Sequence, residues 1–117
     1  MNDRELLELA AKAAGIELTP MEIKNVKFVG DDRFIGFMAD TEKCPRGWFN
    51  PLTDDGDALR LAVKLGLHIE PWFDDEDVRE VIVYGIGSHK EPDADDRMAA
   101  TRRAIVRAAA EVGRAMP

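Results

Sequence analysis

Cysteine is nearly absent: Cys44 stands alone in the chain. A single thiol excludes an internal disulfide framework and suits a reducing compartment. Histidine is almost as scarce, with His68 and His89 only. They lack the paired short spacings of a structural zinc site. No stretch approaches the roughly 18 consecutive apolar residues of a membrane span. The opening MNDRELLELAAKAAG is acidic and amphipathic, without the basic start or apolar block of a signal peptide. These absences predict a cytoplasmic protein. Basic charge is also in deficit, 16 Lys and Arg against 23 Asp and Glu, for a net −7. That balance disfavours general binding to phosphate backbones, which needs clustered cations to displace counterions.

What is present has globular composition, 45% apolar and 33% charged over 117 residues, enough for one domain (1–117) but not two. The acidity is uneven. EPWFDDEDVRE (70–80) holds six acids and one arginine, whereas 93–117 holds five arginines and four acids. A patch built on Asp74, Asp75 and Asp77 would stay solvated and could steer a basic partner.

Helical signals occur three times. From Asp3 to about Ala14 the residues are strong helix formers, with Asn2 or Asp3 to cap the start and Gly15 to end it. Leu6, Leu9, Ala10 and Ala13 share a face, and Glu8 and Lys12 have the spacing of an ion pair. From Thr53 to Gly66 the apolar positions cover all but one polar stripe of Asp57, Arg60 and Lys64. Such width predicts a helix enclosed by its neighbours. From about Asp93 to Ala115, Met98, Ile105, Ala109, Val112 and Met116 mark an inner face, and Arg107 has the spacing to pair with Glu111.

Between Ile23 and Ala39 two β-rich runs flank Gly30-Asp31-Asp32, a turn candidate, and Met21 and Ile23 fit an earlier extended piece. Gly36 inside the second run predicts a bulge or a close backbone approach. DTEKCPRGWFNPLT (40–53) reads as an irregular connection in which Trp48 and Phe49 either pin the loop to the core or face a partner. LHIEPWF (67–73) and VREVIVYGIG (78–87) read as strands joined through the acidic DDED. Pro71 confines the first to a strand end or an edge. Val81, Ile82 and Val83 are consecutive, as in a strand covered on both faces.

Candidate chemistry is thin. Asp54, Asp55 and Asp57 are too close together for a calcium loop, whose ligands alternate over twelve residues. They fit a helix start instead, with Thr53 as cap and acids meeting the exposed N–H groups and the positive helix end. Cys44, His68 and His89 form a nucleophile set only if the fold brings them together. YGIGSHK (84–90) lacks the further glycine and immediate helix of a phosphate cradle, and reads as a strand turning into a loop. Arg102, Arg103, Arg107 and Arg114 have no interleaved aromatics to stack bases and read as a solvated face that pairs with the acidic body.

Two longer stretches, WFNPLTDDGDALRLAVKLGLHIE (48–70) and AATRRAIVRAAAEVGRAMP (99–117), together with the opening MNDRELLELAAKAAGIE (1–17), resemble the phage ABA sandwich domain family of small bacteriophage and prophage proteins. The resemblance implies an α-β-α architecture and a phage or prophage gene expressed in a bacterial cytoplasm. It implies no reaction and brings no catalytic residues.

The residue pattern itself predicts helix, two strands, helix, two strands, helix. The expected fold is α+β, a three-layer α-β-α sandwich with one sheet of about four strands covered on both faces. The expected function is accessory and binding, without cofactor or metal. Trp48, Phe49, Asp74, Asp75 and Asp77 form the candidate surface, and a host or phage protein is the candidate partner. The alternative is a small metal-assisted enzyme using Asp54, Asp57, His68 or His89. A homo-oligomer formed through an uncovered helix or sheet edge is compatible with either.

Overall fold

The computed structural model describes residues 1–23, 33–73, 79–92 and 96–117. The elements run α1 (Asp3–Ala14), β1 (Leu18–Ile23), β2 (Arg33–Ala39), β3 (Trp48–Phe49), α2 (Asp55–Leu65), β4 (His68–Phe73), β5 (Arg79–Gly85), β6 (Gly87–Pro92) and α3 (Arg97–Ala115). Each of the last two helices follows a three-stranded antiparallel sheet, of order β1-β2-β3 and β4-β5-β6. Among the described residues, the expected single sheet of about four strands is therefore replaced by two sheets of three. The additional strands lie where loops are expected. Trp48 and Phe49 pair with Met38 and Phe37, and the chain after Gly85 reverses at Ile86 and runs back beside β5. Gly87, at φ 78°, takes the left-handed conformation this tight reversal needs. The Gly30-Asp31-Asp32 and DDED turns lie outside the described residues.

The helix ends follow local chemistry. Asn2 accepts the Glu5 amide at 2.8 Å, and Gly15 closes α1 in the left-handed region. Glu8 pairs with Arg4 rather than Lys12, whose ammonium reaches the Met116 carbonyl at 3.2 Å. Asp96 caps α3 by accepting the Ala99 amide, so that helix starts later than expected; Asp93 and Asp95 lie outside the described residues.

α3 is the hub, packed against α1, α2, β5 and β6. Its inner face keeps the expected Ile105 and Ala109 and adds Val106 and small residues, with Ala104, Ala108, Ala110 and Gly113 buried, while Met98 and Met116 are exposed. Helix axes can approach closely across such a face. At Gly113 a Cβ would stand 2.0 Å from the Leu9 carbonyl oxygen of α1, so the crossing is made against backbone. In α1 the buried set is Leu6, Leu7, Ala10, Ala11 and Ala14, rotated from the expected face.

Val81 and Val83 point from β5 into the same core as Ile105 and Val106 of α3, and Ile82 is buried on the sheet's other face. Among the described residues β4 is an edge strand, the kind of place to which Pro71 confines it. In the first sheet, Met21 faces Gly36 and Glu22 faces Phe34, so the register skips Ile35 and β2 carries a bulge. Gly36 adopts φ 151°, and the Trp48 ring stands 3.4 Å from where its Cβ would be. Of the two expectations the bulge is the one met at this glycine, and the ring beside it is in ordinary contact. Among the described residues no helix is long and apolar enough to cross a membrane.

Candidate functional site

The α2 N-terminus uses all three aspartates structurally. The cap is Asp54, not Thr53: its Oδ2 accepts the Asp57 amide at 2.9 Å. Thr53 is exposed, and its own amide donates to the Asn50 carbonyl within the turn before the helix. Asp55 takes Arg102 of α3 at 2.6 Å, and the same guanidinium donates through Nε to the Leu52 carbonyl at 2.9 Å. Arg102 thus ties the end of the 40–53 connection to α3.

Asp57 is the unexpected member. Only 3% of it is exposed, although it belongs to the presumed polar stripe. Its Oδ1 receives Arg60 Nη2 at 2.6 Å, and its Oδ2 accepts the Asn50 amide at 2.9 Å. Arg46 Nη2 lies 3.2 Å from Asp54 Oδ1 and 3.7 Å from Asp57 Oδ2. A buried carboxylate is tolerated when charge and hydrogen bonds satisfy both oxygens, and here they do. The hydrophobic positions of α2 are correspondingly reversed. Leu59 is 58% and Val63 73% exposed, so the helix is open on one side rather than enclosed.

The loop held by Asp57 separates the two aromatic residues. Phe49 is buried at 2% and belongs to the core, so it is withdrawn from the candidate partner surface. Trp48, 39% exposed, lies on the opposite face of β3 beside its partner Met38, also exposed. Asp74, Asp75 and Asp77 lie outside the described residues.

Beneath the loop is a cleft of about 340 Å³ between α1, the connection and α2, lined by Ile16, Lys43, Cys44, Phe49, Asp57, Arg60, Leu61 and Lys64 among others. Burial pushes the Cys44 thiol above its ordinary pKa, and the Asp57 charge adds to the effect. That is the opposite of an activated nucleophile.

The histidines do not converge. His68 faces Tyr84 across β4 and β5, whereas His89 faces Val83 across β5 and β6. Tyr84 and Val83 are consecutive, so the two imidazoles lie on opposite faces of the sheet. His68 is exposed and its ring is tilted against that of Tyr84, with centroids 5.6 Å apart. The Tyr84 hydroxyl is pushed above its ordinary pKa by desolvation first and then by the nearby Glu70 carboxylate. His89 is buried with Nε2 3.0 Å from the Ile86 carbonyl oxygen, which can only accept, so Nε2 carries the proton. It borders a second cleft of about 410 Å³ with Glu91, Arg103, Arg107 and Glu111. Among the described residues no cluster of three His, Cys, Asp or Glu side chains is placed to hold a metal ion.

The terminal arginines pair with acids. Arg103 reaches Asp3 at 3.1 Å, Arg107 reaches Glu91 at 2.6 Å rather than Glu111, and Arg114 takes Glu111 at 3.4 Å. The network around Asp57 had one trace in the sequence, the spacing of Asp57 and Arg60; its burial had none. Comparison of the chain with family models, known proteins and solved structures finds no match.

Proposed function

We propose that this is a phage- or prophage-encoded accessory protein that acts in a bacterial cytoplasm by binding a host or phage protein, without catalysis. The observation that carries the binding reading is the Trp48–Met38 pair. Two large apolar side chains stand exposed and adjacent on one face of the β2–β3 pair, while neighbouring Phe49 is inside. Tryptophan offers much contact area at little entropic cost, which is why it is enriched at binding hot spots. The phage setting rests on the resemblance of 1–17, 48–70 and 99–117. That resemblance also carries the three-layer arrangement, which α3 on one face of β5 and buried Ile82 on the other support. The metal-assisted alternative loses support from the opposed histidines and the engaged Asp54 and Asp57. Binding of nucleic acid loses it from the pairing of Arg102, Arg103, Arg107 and Arg114.

The test compares wild-type protein with Trp48→Ser and with Val63→Ser, another exposed apolar position, in quantitative capture from bacterial and phage-infected lysates. A protein recovered by wild type and Val63→Ser but lost with Trp48→Ser, at unchanged circular dichroism, supports the reading. Equal recovery by all three, or no specific capture, contradicts it.

A further inference from the structure

The cleft beneath the loop has a charge pattern at odds with the chain as a whole. In a protein of net charge −7, its lining among the described residues carries Lys43, Arg60 and Lys64 against one carboxylate, Asp57. That carboxylate is already matched by Arg60 at 2.6 Å. Lys43 gives one hydrogen to the Gly15 carbonyl at 2.7 Å and keeps two donors. Lys64 pairs with no described residue. Both lysines are exposed, at the mouth, whereas Phe49, Leu61 and Cys44 are buried and form the interior with the half-buried Ile16. An apolar interior with a few convergent polar groups is the usual character of a small-molecule site, and about 340 Å³ falls within the usual size range. By the share of liquid volume that a water occupies, the space takes about a dozen non-hydrogen atoms.

From this geometry we infer that the cleft binds a small amphiphile with an apolar body and one anionic head group, a medium-chain or aromatic carboxylate. The apolar body lies against Ile16, Phe49 and Leu61, and the carboxylate meets Lys43 and Lys64 at the mouth. The site is separate from the Trp48 face, because Trp48 and Phe49 project to opposite sides of β3. It therefore stands or falls independently of the proposed protein partner.

Calorimetric titration with decanoate, decanol and decylamine, all below their micellar range, tests the inference. Decanoate is expected to bind saturably at one site, at least about tenfold more tightly than decanol, with decylamine weakest. Lys64→Glu, an exposed substitution, is expected to erase the preference for decanoate over decanol. Ile16→Trp, which fills the cleft, is expected to abolish binding of both. Should Ile16→Trp fail to fold, NMR chemical-shift changes at the Ile16, Leu61 and Phe49 side chains on adding decanoate, weakened in Lys64→Glu, locate the site instead, and shifts confined to other residues overturn it. Equal affinity for decanoate and decanol, a preference that survives Lys64→Glu, or no saturable binding of decanoate overturns it.

Discussion

The carboxylate of Asp57, in the first turn of α2, accepts the backbone amide of Asn50, seven residues earlier, at 2.9 Å. With Arg60 on its other oxygen, this buried group fastens the 40–53 connection to the helix that follows. The fastening holds Phe49 inside and leaves Trp48 outside. A run of aspartates that invites a catalytic reading is thus a folding device. One member caps, one receives α3, and one grips the loop.

The division of labour between Thr53 and Asp54 is measurable. Asp54→Ala is expected to cost about 1 kcal/mol by loss of the cap, whereas Asp54→Asn or Asp54→Ser costs only part of that. Thr53→Ala, at an exposed position, should stay within about 0.5 kcal/mol. Urea unfolding of the four variants decides between the two cap assignments.

The open side of α2 makes a sharper contrast. Leu61→Ala removes a core side chain and should cost about 2–5 kcal/mol. Leu59→Lys and Val63→Lys, at residues 58% and 73% exposed, should each change stability by less than about 0.5 kcal/mol. Thermal denaturation of the three variants suffices, and a large loss at Val63 would mean that α2 is enclosed after all.

Gly113 and Gly15 test two different demands on glycine. At Gly113 a methyl group meets the Leu9 carbonyl of α1 at 2.0 Å, so Gly113→Ala must push two helices apart. Its cost should reach or exceed the upper end of the roughly 1–3 kcal/mol typical of overpacking. Gly15 has open space around it but φ 70°, so Gly15→Ala should cost only about 1–2 kcal/mol of backbone strain. Chemical denaturation ranks them.

How much of this was legible follows from where the information resides. Caps and stops are local, so Asn2, Gly15, Gly66 (which ends α2 in the left-handed region) and the bulge at Gly36 could be read from the chain, as could the edge position of Pro71. The pairing of the terminal arginines with acids followed from the charge distribution, though not the choice of Glu91 for Arg107. Burial on a helix depends on what arrives from elsewhere. Periodicity placed Ile105 and Ala109 inward as found, yet α3 also turns Ala104, Ala108 and Gly113 inward and leaves Met98 outside, because close helix approach favours small residues. The same limit hid the burial of Asp57, which only the loop amide and two arginines make tolerable. β6 is not legible in the sequence because GSHKEP has little β-propensity and forms through pairing with β5.

Cys44 links the cleft to pH. Its thiol pKa in the folded protein lies above the ordinary value of 9.0, through burial first and the Asp57 charge second. A thiol whose pKa rises on folding binds its proton more tightly in the native state. The stability it contributes is therefore complete below about pH 9 and is lost as pH climbs through the folded value. Urea midpoints measured from pH 7 upward should fall more steeply in wild type than in Cys44→Ala, which has no thiol to ionise. Parallel profiles would exclude the effect.

Amide hydrogen exchange at Asn50 bears on the central claim most directly, because that N–H is the loop's end of the Asp57 contact. In wild type it should be protected to a degree comparable with the α2 amides, and Asp57→Ala should reduce that protection by at least about tenfold, as the loss of a charge-assisted hydrogen bond requires. An Asn50 amide that exchanges in wild type at the rate of an open loop, or whose protection is unchanged in Asp57→Ala, would contradict the assignment of Asp57 as the residue that holds the loop.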